Sequence, residues 1–244
     1  MKLPKKATKR TKKAERMKLG IKGLEKLMPE GMLRNSTLLV TGYAGTGKTM
    51  LSLQYLLSGA LSGEPGLYVS FEEEIPELRS IAEELGFNVK KLEDSNKLRF
   101  VKYDPFQLQD ILEIIESNIK EIDAKRVVID SASALSIHIG DYVEVRRTIL
   151  QVKNILRKSG CTTIIISEIP NIHAGISRFG VEEFICDGVL LMHRLLIKGE
   201  FMPVIAVLKM RSTKHSRKIY TYEVTGKGVV VGKPAPPIDS LQKG

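Results

Sequence analysis

The chain has no tryptophan, only two cysteines and four histidines, and no long apolar run. Each scarcity removes a class of protein. Cys161 and Cys186 stand alone with no CxxC pair, which argues against a disulfide-stapled secreted scaffold and suits a reducing compartment. His138, His173, His193 and His215 lack metal-ligand spacing, so no histidine metal centre is expected. A membrane helix needs about 20 apolar residues, and no segment approaches that. The N-terminus is basic but has no apolar stretch of the secretory kind, so a cytoplasmic protein is expected. Acid is also scarce where base is dense: residues 1–19 hold nine Lys/Arg against Glu15 alone, a net +8 of the chain's +10. The basicity therefore belongs to a tail, expected to be disordered alone because its charges repel. It reads either as a contact for a nucleic acid or other polyanion, or as a solubilising extension.

What is present is an alternation of short β-branched runs with helical patterns. "TLLVTGY" (37–43) reads as a strand and "KTMLSLQYLLSGAL" (48–61) as a helix. "GLYVSFE" (66–72), "KLRFVKY" and "RVVID" are further strands, each followed by a helical stretch, and "TTIIISEI" (162–169) is a buried strand. Strands that are apolar throughout imply a mainly parallel sheet covered on both faces, an α/β fold. After Ile169 the rhythm changes to consecutive strands with Gly-containing turns, read as antiparallel hairpins. The expected organisation is a basic tail at 1–19, one domain at 20–232 and a C-terminal tail at 233–244.

"GYAGTGKT", Gly42 to Thr49, satisfies G-x-x-x-x-G-K-[ST] directly between a strand and a helix. Glycines let the backbone wrap a phosphate chain, with the N–H groups of Gly45, Thr46, Gly47 and Lys48 turned inward. The helix N-terminus adds positive potential. Lys48 would reach the β- and γ-phosphates and Thr49 would ligate Mg²⁺. Ala44 within the loop and Met50 after it complete the candidate nucleotide-binding set. Asp130, after the buried strand "RVVID", is the second candidate Mg²⁺ ligand, because a carboxylate there needs a reason to be desolvated. "SFEEEIP" places three carboxylates where a strand should end beside the loop. Acids are favoured before the helix that Pro76 starts, but three suggest a general base for an attacking water, Glu73 ahead of Glu72.

These motifs, with "GIKGLEKLMPEG", "VVIDS", "SRFGVEEFICDGV", "KMRSTKH" and "YTYEVTGKGVVV", make residues 20–231 resemble the KaiC-like branch of RecA-fold P-loop ATPases. The resemblance implies a RecA-like core and a ring, usually a hexamer, with ATP between subunits. It further implies catalysis by the acid pair Glu72 and Glu73. Lys209 and Arg211 would reach the neighbouring subunit's γ-phosphate, with His215 close by. A solvated hairpin edge is the plainer reading of the same basic run. Where the clock protein phosphorylates itself on a Ser-Thr pair, this chain has Glu183-Phe184, so slow ATP hydrolysis is expected rather than autokinase activity. Glycines common in the family are replaced by Asn35 and by Ser212. Two other functions share the fold. One is an ATP-dependent scaffold or switch. The other is a RadA-like recombinase, in which residues 170–183 would face DNA.

Overall fold

A computed structural model describes residues 15–104, 111–137, 141–170, 175–197 and 199–236. The chain opens with β1 (Arg16–Met17), antiparallel to β2 (Met32–Leu33). The core then runs β3 (Thr37–Gly42), α1 (Lys48–Leu61), β4 (Gly66–Ser70), α2 (Ile75–Glu84), α3 (Val89–Asp94), β5 (Leu98–Lys102), α4 (Ile111–Ile122) and β6 (Arg126–Asp130). It continues through α5 (Ala132–Ile137), α6 (Tyr142–Lys158), β7 (Thr162–Glu168) and α7 (Glu182–Ile185). Four strands close it: β8 (Gly188–Ile197), β9 (Glu200–Met210), β10 (Tyr220–Thr225) and β11 (Gly228–Pro234).

Nine strands form one sheet in the order β11-β10-β9-β8-β3-β7-β6-β4-β5. From β8 to β5 every pairing is parallel, and β8 to β11 pair antiparallel. The expected mainly parallel sheet with C-terminal hairpins is what the chain builds. Alternation of side chains across a strand explains the continuous apolar runs. On β3, Leu38 and Val40 enter the core under α1, while Leu39 enters the opposite core. Val128 and Ile164 join the first; Val127, Ile129 and Ile165 join the second. On the second face α4 contributes Ile111, Ile115, Ile119 and Ile122, at the spacing of one helix stripe. α6 is capped by Asp141, which accepts a 3.3 Å bond from the Val143 N–H.

Three expectations need correction. Met17 and Leu19 are 5% and 3% exposed and β1 pairs with β2, so the folded chain reaches back past position 20, although residues 1–14 lie outside the described ones. Apolar Met17 and Leu19 were hidden among the charges of a basic stretch. At the other end β11 extends to Pro234, and the Ala235 N–H bonds to Ile219 O, past the expected boundary at 232. Strand β4 ends at Ser70 rather than 72, which frees Phe71–Glu74 to turn beside the loop at β3.

Candidate nucleotide site

Gly42 closes β3 and α1 begins at Lys48, so the motif residues form the turn between a central strand and a helix N-terminus. Gly47 adopts φ 87°, where a side chain is strained, and a Cβ there would meet Val224 at 3.2 Å. Thr46 is 1% exposed, and its hydroxyl donates to Tyr43 O at 2.8 Å. Two contacts from outside the motif orient the loop. The Tyr222 hydroxyl on β10 donates to Thr46 O at 2.7 Å, and the Arg194 guanidinium on β8 donates to Gly45 O. Both carbonyls are thereby engaged by side chains from outside the motif. Neither residue carries a motif signal; only the hairpin folding back reveals them.

Lys48 is 7% exposed and donates to Gly42 O at 3.1 Å and Tyr43 O at 2.9 Å. Burial lowers its pKa, opposed by the nearby carboxylates of Glu168, Asp130, Glu72 and Glu73. Glu168, at the end of β7 and in register with Gly42, was also not anticipated. The Thr49 hydroxyl lies 3.2 Å from Glu73 Oε1 and 3.3 Å from Asp130 Oδ2. Asp130 accepts a hydrogen bond from the buried Tyr68 hydroxyl, and desolvation raises its pKa to about 6. Burial likewise raises Glu73, against the hydrogen bond from Thr49. Glu73 Oε2 is buried and has no hydrogen-bond partner. Glu72 accepts from Ser131 Oγ at 3.1 Å, while Ser70 Oγ donates to Glu73 O at 2.7 Å and fixes the turn. Ala44 and Met50 line a cavity of about 320 Å³ together with Lys48, Thr49, Glu72, Glu73, Asp130 and Glu168. Thr49, Asp130 and Glu73 offer hard oxygen donors, as Mg²⁺ requires. Among the described residues no group of three or more His, Cys, Asp or Glu is placed to hold a metal ion by itself.

Lys209, Arg211 and His215 are not brought to this cavity. Gly188 pairs with both Leu38 and Met210, whereas Gly42 pairs with Met192. The far end of β9 therefore lies four residue steps from the loop, about 13 Å at strand rise. Lys209 Nζ donates to Glu183 O and Cys186 O, each at 2.7 Å, and burial followed by the adjacent Arg211 charge lowers its pKa. Arg211 donates to Phe184 O at 3.0 Å and lies 3.4 Å from Asp187 Oδ1. His215 Nδ1 lies 2.9 Å from Ser216 O. Asn35 (φ 58°) and Ser212 (φ 53°) both occupy the left-handed region, which glycine adopts without strain.

The sequence model described as ATPase: KaiC matches residues 17–235. The chain belongs to the KaiC ATPase family. A UPF0273 protein of Pyrococcus furiosus is 32% identical over 233 residues, which is 88% of this chain and 93% of that protein. The circadian clock oscillator protein KaiC of Prochlorococcus marinus is 33% identical over 228 residues, 89% of this chain but 45% of the clock protein. A crystal structure of a KaiC-like protein from Pyrococcus horikoshii superposes with TM-score 0.82 at 34% identity, covering 90% of this chain and all of that one. The KaiC-like, RecA-type core expected from the motifs is therefore the fold of this chain.

Proposed function

We propose that the protein is a slow, Mg²⁺-dependent ATPase that assembles as a ring, a hexamer by family likeness, with ATP at the subunit junctions. The backbone cradle and Lys48 bind the phosphates, and Thr49 and Asp130 would hold Mg²⁺. When bound, that ion neutralises phosphate charge. Glu73 accepts the proton of the attacking water; its desolvated carboxylate is a stronger base than an exposed one. Glu72, anchored by Ser131, holds the acidic turn in place. Lys209 and Arg211 complete the next subunit's site, with His215 beside them.

The observation that carries this reading is the separation within one chain. Lys209 and Arg211 sit at the opposite end of the central strands from Gly42, which supports a role toward a neighbouring copy's nucleotide rather than their own. Autokinase activity of the clock type is not expected, because Glu183-Phe184 offers no hydroxyl. The recombinase alternative gains no support from residues 175–183. Ser177 and Glu182 are buried, the Glu182 carboxylate accepts from Ser167 and Ser177, and Thr41 holds Ile176 O. Residues 171–174 of that segment lie outside the described ones. Two free, buried cysteines suit the cytoplasm, and among the described residues no helix is long and apolar enough to cross a membrane.

The test is molar mass by light scattering, with Mg²⁺ and a slowly hydrolysed ATP analogue against nucleotide-free protein. A nucleotide-dependent ring is expected. Mixing Lys48→Ala with Arg211→Ala protein should then restore part of the hydrolysis that each lacks alone. A monomer under all conditions would end the ring reading.

A further inference from the structure

Glu182 opens α7 and is 0% exposed, the most deeply buried charged side chain among the described residues. Neutral donors hold its carboxylate. Ser167 Oγ donates at 3.0 Å and Ser177 Oγ at 2.8 Å, and the Val181 and Phe179 N–H groups donate at 3.1 and 3.4 Å. Burying a carboxylate against uncharged donors is costly, and an apolar side chain would fill the space without that cost. Glu182 does not line the nucleotide cavity, so its burial needs another reason.

One side of Glu182 grips the strand that ends in the nucleotide site. Ser167 precedes Glu168, which closes β7, pairs in register with Gly42 and lines the cavity with Lys48. Ser167 Oγ also accepts from the Arg178 N–H at 3.1 Å. Its register partner on β3, Thr41, donates to Ile176 O. The approach to α7 is thus fastened to the two strand ends that carry Gly42 and Glu168.

The carbonyls at the other end of α7 hold the two residues proposed to act in trans. Glu183 O and Cys186 O accept from Lys209, and Phe184 O accepts from Arg211. Between them Ile185 O accepts from the buried Lys153 at 2.6 Å. The last carbonyls of a helix lack intrahelical partners and carry negative potential, so they suit cations. Val181 and Ile185 pack against Val145 and Ile149 of α6 in a small cluster separate from the two cores of the sheet. The placement of α7 therefore depends on that cluster and on Glu182 rather than on the main cores.

We propose that Glu182 is a positioning residue: by anchoring α7 to the end of β7, it sets where Lys209 and Arg211 are presented to the neighbouring subunit. The inference rests on the ring reading above and deepens it, because it links a subunit's own nucleotide site to the cations it offers its neighbour. The link runs through direct contacts, from Glu168 and Ser167 to Glu182 and on to the α7 carbonyls, the kind of hydrogen-bonded chain that carries coupling between separated sites. Glu182→Gln turns one acceptor into a donor facing the same O–H and N–H groups, so α7 should lose its anchor.

The experiment is hydrolysis by mixed assemblies. Glu182→Gln protein alone should form the ring by light scattering and keep KM within about twofold, while kcat falls about tenfold or more. Mixed while nucleotide-free with excess Glu73→Gln protein, whose Arg211 is well placed and whose own turnover is minimal, it should regain most of the lost rate. Excess Arg211→Ala protein should give no such recovery. A defect of stability alone, or of the variant's own nucleotide site, would not depend on which neighbour is supplied. Unchanged kcat in folded Glu182→Gln protein, or the same result with both neighbours, would overturn the inference. Arg211→Ala mixed with Glu73→Gln is the control: no recovery there would end the ring reading, whereas recovery there but not for Glu182→Gln would remove the positioning role alone. Ser167→Ala serves as a second variant should Glu182→Gln fail to assemble, and it should show the same dependence on the neighbour.

Discussion

The two ends of the central strands handle positive charge in opposite ways. At the loop end, Lys48 is buried among loop carbonyls and four carboxylates, and contacts from β8 and β10 hold the surrounding backbone. At the other end two arginines contrast with each other. Arg126 is 4% exposed, bonds to Glu64 and to Tyr55 O, and stacks 4.8 Å over the Tyr55 ring. Arg211 is 52% exposed, and its contact to Asp187 is 3.4 Å long. A fully satisfied buried arginine is structural, whereas a half-exposed, loosely held one is free to find a better partner. The backbone around Lys48 is held by contacts within one chain, whereas the Arg211 side chain is half exposed.

The sharpest way to break that contrast is to remove Arg211. Arg211→Ala should reduce hydrolysis by about 10³-fold, while stability changes by less than about 0.5 kcal/mol because the side chain is mostly solvated. Steady-state phosphate release and a urea melt of the same sample decide it, and undiminished release would remove Arg211 from the mechanism. Glu73→Gln comes next. It should slow hydrolysis by about 10²-fold or more yet leave nucleotide binding in place, with Glu72→Gln milder; rapid-quench single turnover beside calorimetric titration separates the two effects.

Glu64→Gln probes the other arginine. Burial works against the Glu64 charge, but its bonds to Arg34 and Arg126 outweigh that and hold its pKa below the usual range. Removing the charge leaves Arg126 buried with a weaker partner, so stability should drop by about 3 kcal/mol, read from chemical denaturation. A loss as small as that of Arg211→Ala would erase the distinction. The smallest effect belongs to Tyr222→Phe, which frees Thr46 O. Nucleotide affinity should weaken by about 1 kcal/mol, roughly fivefold, measured by calorimetry with the fold intact by circular dichroism.

Much of this arrangement was legible before any coordinates. Gly42–Thr49, Asp130 and the acidic step at Glu72–Glu73 announced themselves, because phosphate binding demands a fixed spacing and buried acids are costly. The parallel sheet was legible from strands such as Arg126–Asp130, apolar on both faces. Asn35 and Ser212, visible in sequence as departures from family glycines, proved to be left-handed positions. Tyr222, Arg194, Tyr68, Ser131 and Glu168 were not legible. Each acts through one contact made by a strand or turn distant in sequence, and a single tyrosine or arginine has no spacing to betray it. Met17 and Leu19 were hidden for the opposite reason, since local charge masked two core residues.

The sequence by itself determined the elements, the anion cradle and the excess of base at two places. These follow from periodicity, turn chemistry and charge counting, which are local properties. Tertiary structure alone decided that Tyr222 and Arg194 orient the cradle, that Lys209 and Arg211 lie beyond reach of their own loop, and that Arg16 joins the N-terminal segment to residues 212–213. Those outcomes depend on strand order and register, and register is set by which faces can be buried together.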